Sequence, residues 1–160
     1  MHLFGELFAS SAGIELLHVP YKGGPEAVND VLAGRIDMMF NNIALSIPQV
    51  QAGKVKALGV TSSDRAPIAQ DVPTIAEAGV EIPDVTAWYA LFAPAGTPPE
   101  VIARIQEDVT EVIAMDETEE FYGSLGAQAE GSTPEQLATI VEKDQEIWRQ
   151  VMVNAGLLDE

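Results

Sequence analysis

Over its first 62 residues the chain alternates short apolar runs with stretches of helical spacing. Ile14-Glu15-Leu16-Leu17-His18-Val19, Ile36-Asp37-Met38-Met39-Phe40 and Val55-Lys56-Ala57-Leu58-Gly59-Val60-Thr61 read as strands. Between the first two, Gly24-Pro25-Glu26 opens a helix: proline at a first-turn position needs no N–H, and the acid sits on the positive end of the helix dipole. Ala27, Val28, Val31 and Leu32 give that helix one apolar face, and Gly34 ends it. Asn42 then caps a helix carrying Ile43, Leu45, Ile47 and Val50, stopped by Gly53; Pro48 lies inside and should kink it or delay its start. Leu3, Phe4, Leu7 and Phe8 have helical spacing upstream. Strands alternating with helices in this order predict an α/β fold, with a parallel sheet built by right-handed crossovers.

After Ser62 the pattern loosens. Thr74-Ile75-Ala76-Glu77 has the form of a capping box and predicts a short helix closed by Gly79. Thr86–Phe92 reads as a strand running into the turn Pro94-Ala95-Gly96, the candidate boundary between two lobes. Two amphipathic helices follow, opened by the boxes Thr97-Pro98-Pro99-Glu100 and Ser132-Thr133-Pro134-Glu135, with a shorter helix from Thr118 to Ser124 and an extended piece at Ala127–Ala129 between them. One or two strands are too few to receive two long amphipathic helices. The C-terminal part is therefore expected to lack most of the sheet it should cover.

A length of 160 residues, 47% of them hydrophobic and 21% charged, fits one ordinary domain or two small lobes and argues against disorder. Eight basic against 25 acidic residues leave a net charge of −17, which argues against nucleic acid or an anionic membrane face as partner. The charge is uneven: residues 1–95 carry 5 basic and 10 acidic side chains, residues 96–160 carry 3 and 15. That excess is either a solvated helix surface or an adaptation to high salt. With no cysteine there is no disulfide, thiolate metal site or cysteine nucleophile. The start, Met1-His2-Leu3-Phe4-Gly5-Glu6, lacks the basic and apolar regions of a secretory signal, so the chain is expected to be cytoplasmic or to begin downstream of its natural start.

Chemical motifs are sparse. No nucleophile elbow and no glycine-rich phosphate loop occurs, so no nucleotide cofactor is expected. His18 reads as a hydrogen-bonded strand residue rather than a metal ligand, and Asp37 as the outward polar residue of its strand. Val19-Pro20-Tyr21-Lys22-Gly23-Gly24-Pro25-Glu26 stands out. Two glycines allow close backbone approach, the helix start offers unpaired N–H groups, and Lys22 adds a cation. This is either a carboxylate site or a tight strand-to-helix turn. Phe40-Asn41-Asn42 ends the next strand and should lie beside it, because ligands in open parallel sheets collect outside the carboxyl ends of strands. Asn41 and Asn42 either hydrogen-bond a ligand or serve the helix start. Trp88 and Tyr89 are either core residues or part of a wall between lobes.

Taken in order, Val19-Pro20-Tyr21-Lys22-Gly23-Gly24, Gly34-Arg35-Ile36-Asp37-Met38-Met39-Phe40, Ala52-Gly53-Lys54-Val55-Lys56-Ala57-Leu58, Asp71-Val72-Pro73-Thr74-Ile75-Ala76-Glu77-Ala78-Gly79, Trp88 and Ala93-Pro94-Ala95-Gly96-Thr97-Pro98 resemble the Bug family. These are the TctC-type solute-binding receptors of tripartite tricarboxylate transporters. The resemblance covers nearly the whole chain; Gln70 departs from it where the family usually has proline.

The resemblance implies a type II periplasmic binding protein-like α/β fold, a non-catalytic role without cofactor or metal, and periplasmic localisation. It also implies a small carboxylate ligand delivered to a membrane permease. It places residues 1–85 in the second ligand-binding lobe and 86–160 in the returning C-terminal part of the first lobe, whose upstream part is absent. The ligand-binding residues carried over are Tyr21, Lys22, Gly23, Gly24, Phe40, Asn41, Asn42 and Trp88. Half a cleft implies exposed apolar faces and a homodimer or domain swap. Two other readings are weighed against it: a small flavodoxin-like enzyme using His18 or Asp37 as acid–base, and an interaction module that signals without delivering solute.

Overall fold

The computed structural model describes residues 1–83 and 85–159. Among the described residues six helices run in order: α1 (His2–Ala12), α2 (Gly24–Leu32), α3 (Ile43–Gln51), α4 (Pro99–Ile113), α5 (Asp116–Ser124) and α6 (Pro134–Asn154), with a short 3₁₀ turn at Pro67–Ala69.

Local chemistry fixes most of the helix ends. Pro25 occupies the first turn of α2, and Gly34 lies just past its end at φ 67°, a left-handed conformation that favours glycine. The Gly34 and Arg35 N–H groups close onto the carbonyls of Val31 and Asp30 at 3.0 and 2.8 Å. Asn42 caps α3 as expected, its Oδ1 accepting the Ala44 N–H at 2.9 Å. Pro48 neither delays α3 nor stops it: the helix begins at Ile43 and runs to Gln51.

Prolines displace the caps of the two long helices. At α4 the Thr97 hydroxyl donates back to the Pro94 carbonyl at 2.8 Å, extended Pro98 is the cap residue, and the expected Thr97/Glu100 box does not form. At α6 the box is one residue later than expected. Thr133 Oγ1 accepts the Gln136 N–H at 3.2 Å and Gln136 Oε1 accepts the Thr133 N–H at 2.8 Å, because Pro134 takes the first helical position. The Thr74/Glu77 box does form, with reciprocal bonds of 2.8 and 3.0 Å, but a turn follows rather than a helix. One turn before Gly79 is too short to recover the cost of nucleation. The Arg65 guanidinium, 2.8 Å away, and the Thr74 N–H together hold the Glu77 carboxyl below the usual carboxylate range.

The expected parallel sheet is not formed among the described residues. The segments 14–19, 36–40, 55–59 and 86–92 carry no ladder; the sole bridge pairs Val60 with Thr74 in parallel, through Val60 N–H to Pro73 O and Ile75 N–H to Val60 O, both 2.9 Å. Apolar alternation marks a chain suited to a pleated, half-buried surface, but a ladder also requires a neighbouring backbone at pairing distance.

The core is small. Leu7 of α1, Val85 and Val151 of α6 form its buried centre, with Leu3, Phe4, Ile82, Ile147 and Trp148 packed around them. Phe4 meets Trp148 edge-on at 4.9 Å between ring centroids. The first and last helices are thereby joined.

Candidate functional site

Two helix starts meet at one place. A Cβ built on Gly24, the first residue of α2, would stand 3.1 Å from Asn41 Oδ1 and 3.4 Å from Leu45 Cδ1. The Tyr21–Gly24 turn and the Phe40–Asn42 turn are therefore in contact, as the sequence suggested. Gly24 is the glycine this approach needs. Gly23 is extended (φ −171°), and a Cβ there would meet nothing nearer than Pro25 Cδ at 3.8 Å.

The donors at this junction are unequally committed. Asn42 spends its side-chain oxygen on capping α3, and Asn41 Nδ2 donates to Ser46 Oγ at 3.2 Å. No side chain caps α2, so the positive end of its dipole remains available; Glu26, also in the first turn, is the acidic group nearest in sequence that competes for it. Lys22 is exposed and takes part in none of the ion pairs among the described residues.

Tyr21 is anchored rather than free. Its hydroxyl donates to Asp30 Oδ2 at 2.8 Å, and Arg35 pairs with the other oxygen of the same carboxylate. Donation from Tyr21 first, and from Arg35 second, holds the Asp30 carboxyl below the usual carboxylate range. The same bond raises the Tyr21 phenol above its ordinary value. Asp30 thus ties the turn to the far end of the helix that it opens. Sequence reading missed Asp30 and Ser46, which no motif links to the turns, and gave Arg35 no role beyond its place in the Gly34–Phe40 motif.

Phe40, Asn41, Asn42 and Trp88 line one open cleft of about 2340 Å³; Tyr21, Lys22, Gly23 and Gly24 do not line it. Pockets that enclose a small ligand run to roughly 300–1,000 Å³, so this space is too large to be one. Phe40 leans on Phe8 at 5.8 Å between ring centroids. Trp88, 41% exposed, donates its indole N–H to Asp144 Oδ2 of α6 at 2.6 Å, which makes it a tie between its segment and that helix. His18 stacks on His2 with centroids 3.6 Å apart, and Glu6 binds His2; no group of three metal-ligating side chains occurs among the described residues.

Residues 1–157 match the model of the "tripartite tricarboxylate transporter family receptor". A protein of the tcbD-tcbE intergenic region of Pseudomonas sp. strain P51 is 42% identical over 158 residues, covering 98% of this chain and 47% of that one. Another, from the clcB-clcD intergenic region of Pseudomonas knackmussii, is 34% identical and covers 98% of this chain and 94% of its own length. Among solved structures, an R. palustris protein with adipate superposes with a TM-score of 0.87 at 34% identity, over 97% of this chain and 52% of that one. The periplasmic binding protein BugD gives 0.83 at 33%, over 98% and 53%. The chain thus spans about half the length of most of these relatives, and its backbone follows the periplasmic binding fold over that half although no strand ladder forms among the described residues. Both its sequence and its backbone place the chain in the tripartite tricarboxylate transporter receptor family, a family of solute-binding receptors rather than enzymes, and it belongs to the Bug group within it.

Proposed function

We propose that this chain is part of a periplasmic receptor that holds a small carboxylate at the paired turns before α2 and α3 and presents it to a membrane permease, with no bond made or broken. The observation that carries this reading is the contact of Gly24 with Asn41. It sets an uncapped helix start and the turn carrying Lys22 beside the Asn41 carboxamide, so that main-chain N–H groups and the Lys22 ammonium are the donors offered to an acid group. The adipate in the R. palustris relative supports a dicarboxylate of that kind.

A chain charge of −17 does not oppose this, because helix-end dipoles act at contact distance while remote surface charge is screened. On this reading residues 1–85 contribute the second lobe and residues 86–160 the returning part of the first, with the Phe4–Trp148 contact joining them. A ligand then shifts the population of closed forms by its differential contacts with the two lobes.

The test is a thermal-shift and calorimetric panel of three- to six-carbon dicarboxylates on the 160-residue chain, with the acid recovered and analysed afterwards. Saturable stabilisation by one acid, weakened by Lys22→Ala and leaving the acid unchanged, is the expected result. No shift with any acid, or conversion of the acid, overturns the proposal.

A further inference from the structure

Among the described residues Tyr21, Lys22 and Gly23 make no backbone hydrogen bond outside the helices, so main-chain pairing does not fix the turn that opens α2. A side chain fixes it instead: the Tyr21 hydroxyl donates to Asp30 Oδ2 at 2.8 Å. Asp30 stands six residues beyond Gly24, about 9 Å along the axis at a rise of about 1.5 Å per residue. The Tyr21 ring therefore runs along the flank of α2, away from the N–H groups at its start. Arg35 takes the other oxygen of the Asp30 carboxylate, which is held from both sides and adds no net charge beside the turn.

We infer that Tyr21 is a positioning residue and not a donor to the acid group: acting through Asp30, it straps the Lys22–Gly24 turn in the shape that presents the α2 start beside Asn41. For the ligand this rests on the receptor reading above; the strap itself stands on the hydrogen bonds alone. A phenol has one proton to donate, and Tyr21 spends it on Asp30, while an ionised carboxylate can only accept. That same bond holds the phenol above its ordinary value, so the proton stays in place. A hydroxyl bonded about 9 Å down the helix is also beyond hydrogen-bond reach of an acid group seated on the first N–H groups of α2. Tyr21 thus has a different part from the direct ligand contact that the family resemblance implies. The grip on the acid is left to the main-chain N–H groups and Lys22.

The test combines nitrogen-15 relaxation with adipate calorimetry on the 160-residue chain. The variants are Tyr21→Phe, Asp30→Ala, Asp30→Asn and the Tyr21→Phe/Asp30→Ala double. With no acid present, the backbone order parameters of Lys22 and Gly23 should fall from about 0.85 toward about 0.6 in Tyr21→Phe and Asp30→Ala alike, while those of α6 stay unchanged. Asp30→Asn keeps an acceptor for the phenol and should remain close to the parent chain. Adipate affinity should fall about three- to tenfold in either single variant and no further in the double, because both remove the same bond. Order parameters that stay unchanged in Tyr21→Phe overturn the inference. So does a further loss of affinity when Tyr21→Phe is added to Asp30→Ala, or a shift of the Tyr21 phenol titration on adding adipate, since either makes the hydroxyl a ligand donor. A parent chain that binds no adipate counts against the receptor reading, whereas the order parameters decide the strap without any acid.

Discussion

Gly23 and Gly24 are adjacent and chemically identical, yet the geometry assigns them opposite sensitivities to alanine. At Gly24 an added Cβ meets Asn41 Oδ1 at 3.1 Å and Leu45 Cδ1 at 3.4 Å, so the carboxamide must give by a few tenths of an ångström. That movement strains its 3.2 Å bond to Ser46, a bond of about 0.5–1.5 kcal/mol, and overpacking adds about 1–3 kcal/mol where the neighbour cannot relax. The helix-propensity gain of glycine to alanine, at most ~1 kcal/mol in a helix interior, is smaller in a first turn and does not offset this. A net loss of about 1 kcal/mol is expected for Gly24→Ala. Gly23→Ala meets nothing closer than 3.8 Å in a conformation open to any residue, and should be neutral or stabilise by about 0.4–1 kcal/mol through the unfolded chain.

Urea unfolding followed by tryptophan emission measures both, and a double-mutant cycle isolates the contact. With Asn41→Ala in the background the offending oxygen is gone, so Gly24→Ala should become nearly harmless, giving a coupling of about 1 kcal/mol. In the receptor reading the same displacement moves the Asn41 amide away from the acid group, so affinity for a bound dicarboxylate falls tenfold for each ~1.4 kcal/mol lost. Equal effects of the two alanines, or additivity within ~0.3 kcal/mol, would show that the two turns do not touch and would remove the physical basis of the site.

Other perturbations test the frame around the site. Leu7 is only 6% exposed in a core whose buried centre has three members, so Leu7→Ala should cost about 2–5 kcal/mol in urea unfolding, while exposed Ser10→Ala stays within about 0.5 kcal/mol. Asp30 is held low in the folded state, so its contribution is present above its unfolded pKa of about 3.9 and is lost as pH falls through the lower folded value. Tyr21 is raised, so its contribution is lost as pH climbs through a value above about 10. Asp30→Asn should flatten the acid limb and return the Tyr21 phenol toward its ordinary value in an ultraviolet titration; an unchanged profile contradicts the clamp. Trp88→Phe removes a 2.6 Å donation to Asp144 and should cost about 0.5–1.5 kcal/mol, a loss that disappears in an Asp144→Asn background if the carboxylate charge is what matters. With a net charge of −17, the melting temperature should rise between 0.1 and 1 M NaCl as the Debye length shrinks from about 10 to about 3 Å; a flat response counts against self-repulsion as a destabilising force.

What the sequence made legible is what short-range chemistry decides. Asn42 caps α3 and Gly34 closes α2 where they were expected, because a cap is settled within four residues of its own position. The two long helices were also placed correctly, but their caps were not. Thr97 and Ser132 have box spacing to an acid, but the prolines that follow them reset the first helical position, and the helices begin at Pro99 and Pro134 instead. Ties between distant positions had no local signature at all. Trp88 and Asp144 are 56 residues apart, and Tyr21 reaches Asp30 across the length of α2. The sheet failed for a third reason. Segments such as 36–40 and 86–92 have the composition of strands, and composition selects an extended chain but leaves the pairing to whatever backbone lies alongside. That distinction connects the unpaired segments and the oversized cleft: each is what a sheet-forming segment leaves exposed where no backbone among the described residues lies at pairing distance. The proposed carboxylate site escapes this dependence because Gly24 and Asn41 meet through helix starts, whose geometry is set by local contacts.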